Sequence, residues 1–467
     1  MIQKRIKKYF DYMALLIRSV IQCKRLNLKD FRSALSDINS KQMINIYQIF
    51  PELCDQNRKP KKMEFLCIQS DFFERLENVY NDKDIIYKEL LIFYMDAAIS
   101  NFFKGYFTFE DDIIKIGTLN SNYKQTKIGI VIKVSCGWEH NIIQNNLLGI
   151  LNNFYYVDYN NMDGFKMINY VIDPVFYSLK EKSSIKIAIS PITKEKVVQF
   201  SNSYQKQNQF SKLYQNYFRV EKILYEDIVK SIIIENIKEA GEEKVDLMVF
   251  PEMLGTKAML NDTIDYIQNN NLKVPRLIVF PSIWKKTHND ESNTNSSAMI
   301  LDGKEVLFEQ KKYGEFNYTE NNQLVYEDIN YIKEEDNIIN ILHVEGIGRI
   351  CVIICYDYLE EEYRNKVINN VHPTLVCCPS FSTGSYNFYI LSEKYFSQNC
   401  NFVWCNTCSA SNVNYKPENF DIIGLVTMLS KKVDKYKTKE FCNGIASCNK
   451  KNCDKCLYYV NIPLKSK

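Results

Sequence analysis

The chain lacks an excess of charge of either sign. Its 467 residues carry 59 Lys and Arg against 56 Asp and Glu, for a formal net charge of +3, so no strongly charged partner is implied. It also lacks any uninterrupted apolar run long enough to cross a bilayer. The opening MIQKRIKKYFDYMALLIRSV starts basic and turns apolar. Asp11 and Arg18 interrupt the apolar part, leaving it too short for the core of a signal peptide. An amphipathic helix with a basic face is expected instead. Lys4, Arg5, Lys7, Lys8, Lys24 and Arg25 would be solvated there, or would meet RNA, DNA or an acidic protein. No internal repeat stands out. The 15 cysteines follow no secretory signal and read as reduced thiols of a cytoplasmic protein.

What is present is ordinary for a globular chain, 46% hydrophobic and 25% charged, and the length suits two domains. Residues 30–105 look helical, most clearly 84–103, where apolar positions recur near the helical period. More strand-like segments follow at 127–134 and 154–158, and the polar 178–184 (SLKEKSS) reads as a linker. A mainly helical, then mixed α/β domain is therefore expected over 1–180. An α/β domain is expected over 185–463, where strand-like and helix-like segments alternate. Within it the polar 199–217 reads as an insertion, 220–240 as a helix ended by Gly241 as its C-cap, and 290–297 as a polar turn region. Phe109-Glu110-Asp111-Asp112 has the aromatic-x-Asp-Asp order of a polymerase hairpin. Too little chain precedes it to build a palm, and it reads as chance.

Three strand-like stretches carry chemistry at their exits. The run 348–354 (GRICVII) is apolar and largely β-branched, ends at Cys355 and passes into an acidic, helix-like segment. The run 245–250 (VDLMVF) is closed by Pro251 and followed by Glu252. The run 304–312 (KEVLFEQKK) follows the turn Asp302-Gly303 and ends in Lys311 and Lys312. A cysteine, a carboxylate or a lysine alone would most simply be a core thiol or a surface charge. The order Glu, Lys, Cys at successive strand ends is harder to attribute to chance.

In these pieces, VFPEM, DGKEVLFEQKK and GIGRICVIICYDYLEEEYR, the sequence resembles the carbon–nitrogen hydrolase (nitrilase) superfamily. The resemblance covers about 185–463; residues 1–180 resemble no family. It implies a four-layer αββα sandwich with two mixed sheets face to face, a homo-oligomer, and hydrolysis of a small amide or nitrile. It implies no catalytic cofactor. N-acyltransferases of the family usually carry membrane helices, which this sequence lacks.

The chemistry fits the residue types. A free cysteine is mostly protonated at neutral pH, so attack on an amide or nitrile carbon needs a base. Glu252 would take the Cys355 proton and return it to the departing amine. The lysine and the backbone N–H of Tyr356 would stabilise the oxyanion. The family offset points to Lys311. Strand alternation points to Lys312, because Val306, Phe308, Gln310 and Lys312 share one face and Leu307, Glu309 and Lys311 the more polar one. Lys312 is preferred as the residue on the protected face. By resemblance a second glutamate should follow the lysine, with Glu320 or Glu315 as candidates. Asn406 resembles the family's strand-end asparagine and should be structural. Lys312 should leave Cys355 with a larger thiolate fraction than its strand neighbour Cys351.

The tail 441–456 gathers Cys442, Cys448, Cys453 and Cys456 in a polar setting. Four thiolates at close range can hold structural zinc. Cys400, Cys405 and Cys408 form a rival cluster, and free or redox-active thiols are the alternative. Two functions therefore stand. One is a cysteine-dependent hydrolase with a Glu-Lys-Cys triad. The other is a regulatory or interaction module of a larger, defence-type assembly, with 1–180 binding protein or nucleic acid.

Overall fold

The computed structural model describes residues 2–23, 28–63, 68–100, 113–138, 147, 151–193, 196–208, 211–286, 293–329, 337–394, 400–412, 422–429, 436–441 and 457–464. It is a mixed α/β chain with several sheets. Among the described residues, no helix is long and apolar enough to cross a membrane.

The cysteine-bearing segment is the strand Gly348–Val352, placed inside an eight-stranded sheet. In spatial order the strands are Ile113–Ile116, Lys166–Ile172, Ile338–Val344, Gly348–Val352, Leu375–Pro379, Asn401–Cys405, Gly424–Leu429 and Tyr436–Phe441. Gly348–Val352 runs parallel to Leu375–Pro379 and antiparallel to Ile338–Val344. All five of its residues are buried, as its continuous apolar pattern requires.

The glutamate-bearing strand Leu247–Val249 lies in a second sheet, between Leu277–Val279 and Ser184–Ile189. Alternation decides what each residue meets. Ile187, Leu247, Val249, Leu277, Val279 and Met299 share one core with Ile341, Ile350, Val376 and Val403 of the first sheet. Their neighbours Ala188, Met248, Ile278 and Ile300 join a separate core with Ile233, Ile237, Met259 and Leu260. Those four lie on the helices Glu226–Glu242 and Lys257–Asn269. The strands that lead to Glu252 and Cys355 are thus set on sheets that share one apolar layer.

The lysine hairpin pairs Asn293–Leu301 with Glu305–Lys311. Its first strand starts within the polar stretch that the sequence suggests as a turn. The helix expected over 220–240 is split: Val220–Ile223 is a strand, the helix is Glu226–Glu242, and Gly241 lies in its last turn rather than capping it. The polar insertion at 199–217 is also strand-forming. Tyr204–Gln207 and Tyr214–Phe218 join Asn317–Glu320 and Gln323–Glu327 in a four-stranded sheet.

The N-terminal region is helical to Ala98, and the expected helix at 84–103 is Ile85–Ala98, with the Asp84 carboxylate accepting from the Tyr87 N–H. Helices Ile2–Gln22, Lys41–Ile49, Ser70–Asn81 and Ile85–Ala98 pack in a core of their own. The expected boundary near residue 180 is not where the sheet ends. Lys166–Ile172 pairs parallel with Ile338–Val344 over six residues, and Ile113–Ile116 pairs on its far side. The hairpin Ile128–Ile132 with Phe154–Asp158 is apolar on both faces. Ile128, Ile130 and Ile132 pack on the N-terminal helices, while Val131, Tyr155 and Val157 belong to the core between the sheets. Local pattern marks these strands but cannot reveal parallel pairing across some 170 residues. Cys442, Cys448, Cys453 and Cys456 lie outside the described residues, as do Lys24, Arg25 and 109–112.

Candidate active site

Glu252 and Cys355 are brought together by three consecutive residues where a strand passes into a loop. Strand Leu375–Pro379 is followed by Ser380 and Phe381, and each offers its backbone to the site. The Cys355 N–H donates to the Pro379 carbonyl at 2.9 Å, and the Glu252 N–H donates to the Ser380 carbonyl at 3.2 Å. The Phe381 N–H then donates to Glu252 Oε2 at 3.0 Å, and its carbonyl oxygen lies 4.0 Å from Cys355 Sγ. Asn406 holds this loop from the neighbouring strand: its amide donates to the Ser382 carbonyl and accepts from the Ser382 N–H, both at 2.9 Å.

Cys355 sits at a sharp turn between strand Gly348–Val352 and the short helix Tyr356–Leu359, with φ +45° and ψ −108°. A non-glycine residue there is strained, and such strain persists where the surroundings over-determine it. The residue is 6% exposed. Tyr356 follows as the first residue of that helix, so its N–H has no intrahelical acceptor.

Lys312 is buried, and its ammonium donates to Glu252 Oε1 at 2.8 Å and to Glu327 Oε2 at 2.6 Å. Its backbone N–H donates to the Asn295 carbonyl at 2.8 Å, and the Asn295 amide donates to Glu252 Oε1 at 2.8 Å. Lys311, one residue earlier, is half-buried and lies opposite Ser296 in the hairpin. Asp357 accepts from the N–H groups of Tyr313 and Gly314, which fixes the chain just beyond Lys312.

The second carboxylate on the lysine is Glu327, fully buried, rather than Glu320 or Glu315. Glu320 is exposed at the end of strand Asn317–Glu320. Asn321 and Asn322, both with positive φ, turn the chain back into Gln323–Glu327, which delivers Glu327 to the site. Two residues of positive φ between paired strands make a tight hairpin, and Asn-Asn was the available signal. Glu315 is half-buried nearby. Burial, with Glu327 and Asp328 adding to it and Lys206 opposing, pushes its carboxyl up to about 7.

The electrostatics set two carboxylates against one ammonium in a water-poor place. Burial acts to lower the Lys312 pKa, but Glu252, Glu327 and Cys355 outweigh it and raise it well above the ordinary lysine value. Burial raises the Glu327 carboxyl; Lys312 opposes this and Glu252 adds to it. Burial and then Glu252 raise the Cys355 thiol well above its usual value, and Lys312 only partly offsets them. The larger thiolate fraction expected at Cys355 from the neighbouring Lys312 finds no support, because burial and Glu252 outweigh the ammonium. Cys351 is pushed up to about 12 by burial. Glu252 accepts from Asn295, Lys312 and Phe381. A carboxylate has about four acceptor positions, so one remains for a thiol proton.

Among the described residues, no group of His, Cys, Asp and Glu is arranged to hold a metal. Cys400 and Cys405 are buried in the core between the sheets, and Cys408 is buried in a small cluster with Ala410 and Ile423.

No protein-family model and no curated protein matches the chain. Among solved structures it is similar to a glutamine-dependent NAD+ synthetase from Acinetobacter baumannii, at 17% identity and TM-score 0.38, over 60% of this chain and 45% of that one. This chain therefore spans less than half of that protein. It is also similar to an amidase of the nitrilase superfamily from Nesterenkonia AN1, at 13% identity and TM-score 0.39, covering 62% and 95% of the two chains. Saccharomyces cerevisiae Nit3, of branch 10 of that superfamily, matches at 14% identity and TM-score 0.36, covering 60% and 90%. At such TM-scores the functional reading rests on the site itself.

Proposed function

We propose that the chain is a cysteine-dependent carbon–nitrogen hydrolase acting on an amide or nitrile, with Cys355 as nucleophile, Glu252 as general base and acid, and Lys312 as the cation of the site. The observation that carries this is the buried Lys312 ammonium held by Glu252 and Glu327 beside a cysteine on a strained strand-end turn. A purely structural cysteine needs no such neighbours, and burying them uncompensated would be costly. The facing sheets with outer helices fit a four-layer αββα sandwich.

For an amide, Glu252 takes the Cys355 proton as sulfur attacks the carbonyl carbon. Charge develops on the carbonyl oxygen, where Lys312 and the Tyr356 N–H stabilise it. The C–N bond breaks, and the amine leaves with the proton from Glu252. Water, deprotonated by Glu252, then attacks the thioester; the C–S bond breaks, releasing the acid and restoring the thiol. Asn295, Glu327 and Asp357 position Lys312 and Glu252. Incubating a cell metabolite extract with wild type and with Cys355→Ala tests the reading. An amide or nitrile consumed only by wild type, with its acid appearing, is expected; identical profiles count against it.

A further inference from the structure

Resting on that reading, we propose that the substrate's acyl part is a flat, uncharged aromatic group, seated under an arch of rings that begins and ends beside Cys355. The rings run in sequence. Phe381 meets Phe200 at 5.7 Å between centroids, and Phe200 meets Phe218 at 5.7 Å. Phe218 meets Tyr318 at 5.5 Å, Tyr318 meets Phe316 at 6.5 Å, and Phe316 meets Tyr356 at 6.0 Å. One end of the arch is the residue whose carbonyl lies 4.0 Å from Cys355 Sγ; the other is the residue after Cys355.

The arch is tied to the same carboxylates that hold Lys312. The Phe381 N–H donates to Glu252 Oε2 at 3.0 Å, and the Phe316 N–H donates to Glu327 Oε2 at 3.2 Å. Register places the arch correctly. Tyr318 lies opposite Val325, two residues before Glu327, and Glu327 lies opposite Phe218. Tyr318, Val325, Glu327 and Phe218 therefore share the face of the four-stranded sheet that carries the site carboxylate. The insertion at 199–217, which supplies no reacting group, ends against Phe218 and begins at Phe200's neighbour, so it builds this wall. Phe316 and Tyr318 keep 37% and 38% of their surface exposed, leaving ring surface for another flat group to cover.

Two further considerations select the class. Aromatic rings prefer aromatic partners in offset or edge contacts, a gain beyond area burial alone. The charges around the arch are already engaged with one another: Lys312 with Glu252 and Glu327, and Lys206 with Asp328. A carboxylate-bearing acyl chain would have to compete with these pairs, whereas an uncharged one leaves them intact. The acyl part, unlike the amine, must stay seated from attack at C–N to release at C–S, so the fixed wall belongs to it.

Binding to the Cys355→Ala protein tests the arch without requiring turnover. Calorimetry with 3-phenylpropanamide, hexanamide and succinamate should give at least tenfold tighter binding of the phenyl amide. The advantage should disappear in Cys355→Ala proteins that also carry Phe316→Ala and Tyr318→Ala, both at exposed positions that truncation should not unfold. Equal binding of the phenyl and alkyl amides, tighter binding of succinamate, or a preference that survives both truncations would overturn the proposal. Turnover is scored separately on wild type. If the phenyl amide binds preferentially yet wild type never hydrolyses it, the arch stands and the hydrolase reading fails.

Discussion

Lys312 and Glu327 meet at 2.6 Å, although one directly follows a strand of the seven-stranded sheet and the other ends a strand of the small four-stranded one. The insertion strands at 204–218 are thereby coupled to the reacting end of the molecule. Glu327 acts through Lys312 and the Phe316 backbone, so it is a positioning residue. Glu327→Gln should keep the fold, because the amide still offers an acceptor and one of two buried negative charges is removed. It should lower kcat/KM by roughly a hundredfold and lower the Lys312 pKa, which Glu327 now raises. Steady-state kinetics on an identified substrate, over a pH series, checks both.

Removing the lysine is a different matter. Lys312→Met leaves Glu252 and Glu327 buried with no cation between them. Breaking a buried ion pair from one side costs roughly 3–5 kcal/mol, so denaturant unfolding should show a loss of that size at neutral pH. It should be smaller at low pH, where the carboxylates are protonated.

The N-terminal region should not be separable at residue 180. A chain starting at 181 loses Lys166–Ile172 and with it the parallel partner of Ile338–Val344. It also loses the Trp138 indole, which donates to the Pro463 carbonyl at 3.0 Å. Expression of 181–467 should give insoluble or unfolded protein by circular dichroism. A soluble fragment with a cooperative melt would show that the hydrolase sheet stands alone.

Glu89 offers a pH test away from the site. It is 1% exposed on helix Ile85–Ala98, and burial, with Asp30 and Asp84 adding, pushes its carboxyl up to about 7. Between the unfolded value near 4.3 and about 7, the folded state holds a proton that the unfolded state has lost. Its contribution to stability therefore falls as pH rises through that window and levels off above it. Glu89→Gln should match wild type below about pH 4, where both states keep the proton, and exceed it near pH 8 by roughly 3 kcal/mol, read from paired unfolding curves.

Much of the site was legible because its parts lie at the ends of short apolar strands. Glu252 follows a proline-closed strand, Lys312 ends a hairpin arm, and Cys355 ends a β-branched run, so each can be placed from local pattern. Glu327 was not, since a second hairpin through Asn321 and Asn322 lengthens the path back to the lysine. The weight of burial at Cys355 was not legible either: the sequence sets Lys312 against Glu252 at the thiol, while the depth of the site, which raises the thiol most, comes only from the packed sheets. In the fold, the helices and the alternation of Leu247–Val249 and Leu277–Val279 follow from periodicity. The entry of Ile113–Ile116 and Lys166–Ile172 into the cysteine sheet does not, because only long-range pairing makes it.

The central claim is that Cys355 carries the acyl group and Glu252 supplies the base that removes it. p-Nitrophenyl acetate tests this directly: its leaving group departs without a proton, and in Glu252→Gln the carboxylate that raises the Cys355 thiol is gone while Lys312 still favours the thiolate, so acylation proceeds, more slowly, and deacylation lacks its base. Acid-quenched samples of wild type and Glu252→Gln, digested and mapped by mass spectrometry, report where the acetyl group sits and how long it stays, with exposed Cys23 as the background thiol. The account predicts a transient acetyl on Cys355 in wild type and a persistent one, approaching one per chain, in Glu252→Gln. Acetylation of Cys351 in place of Cys355, or equally rapid loss of the acetyl group from both proteins, would contradict it.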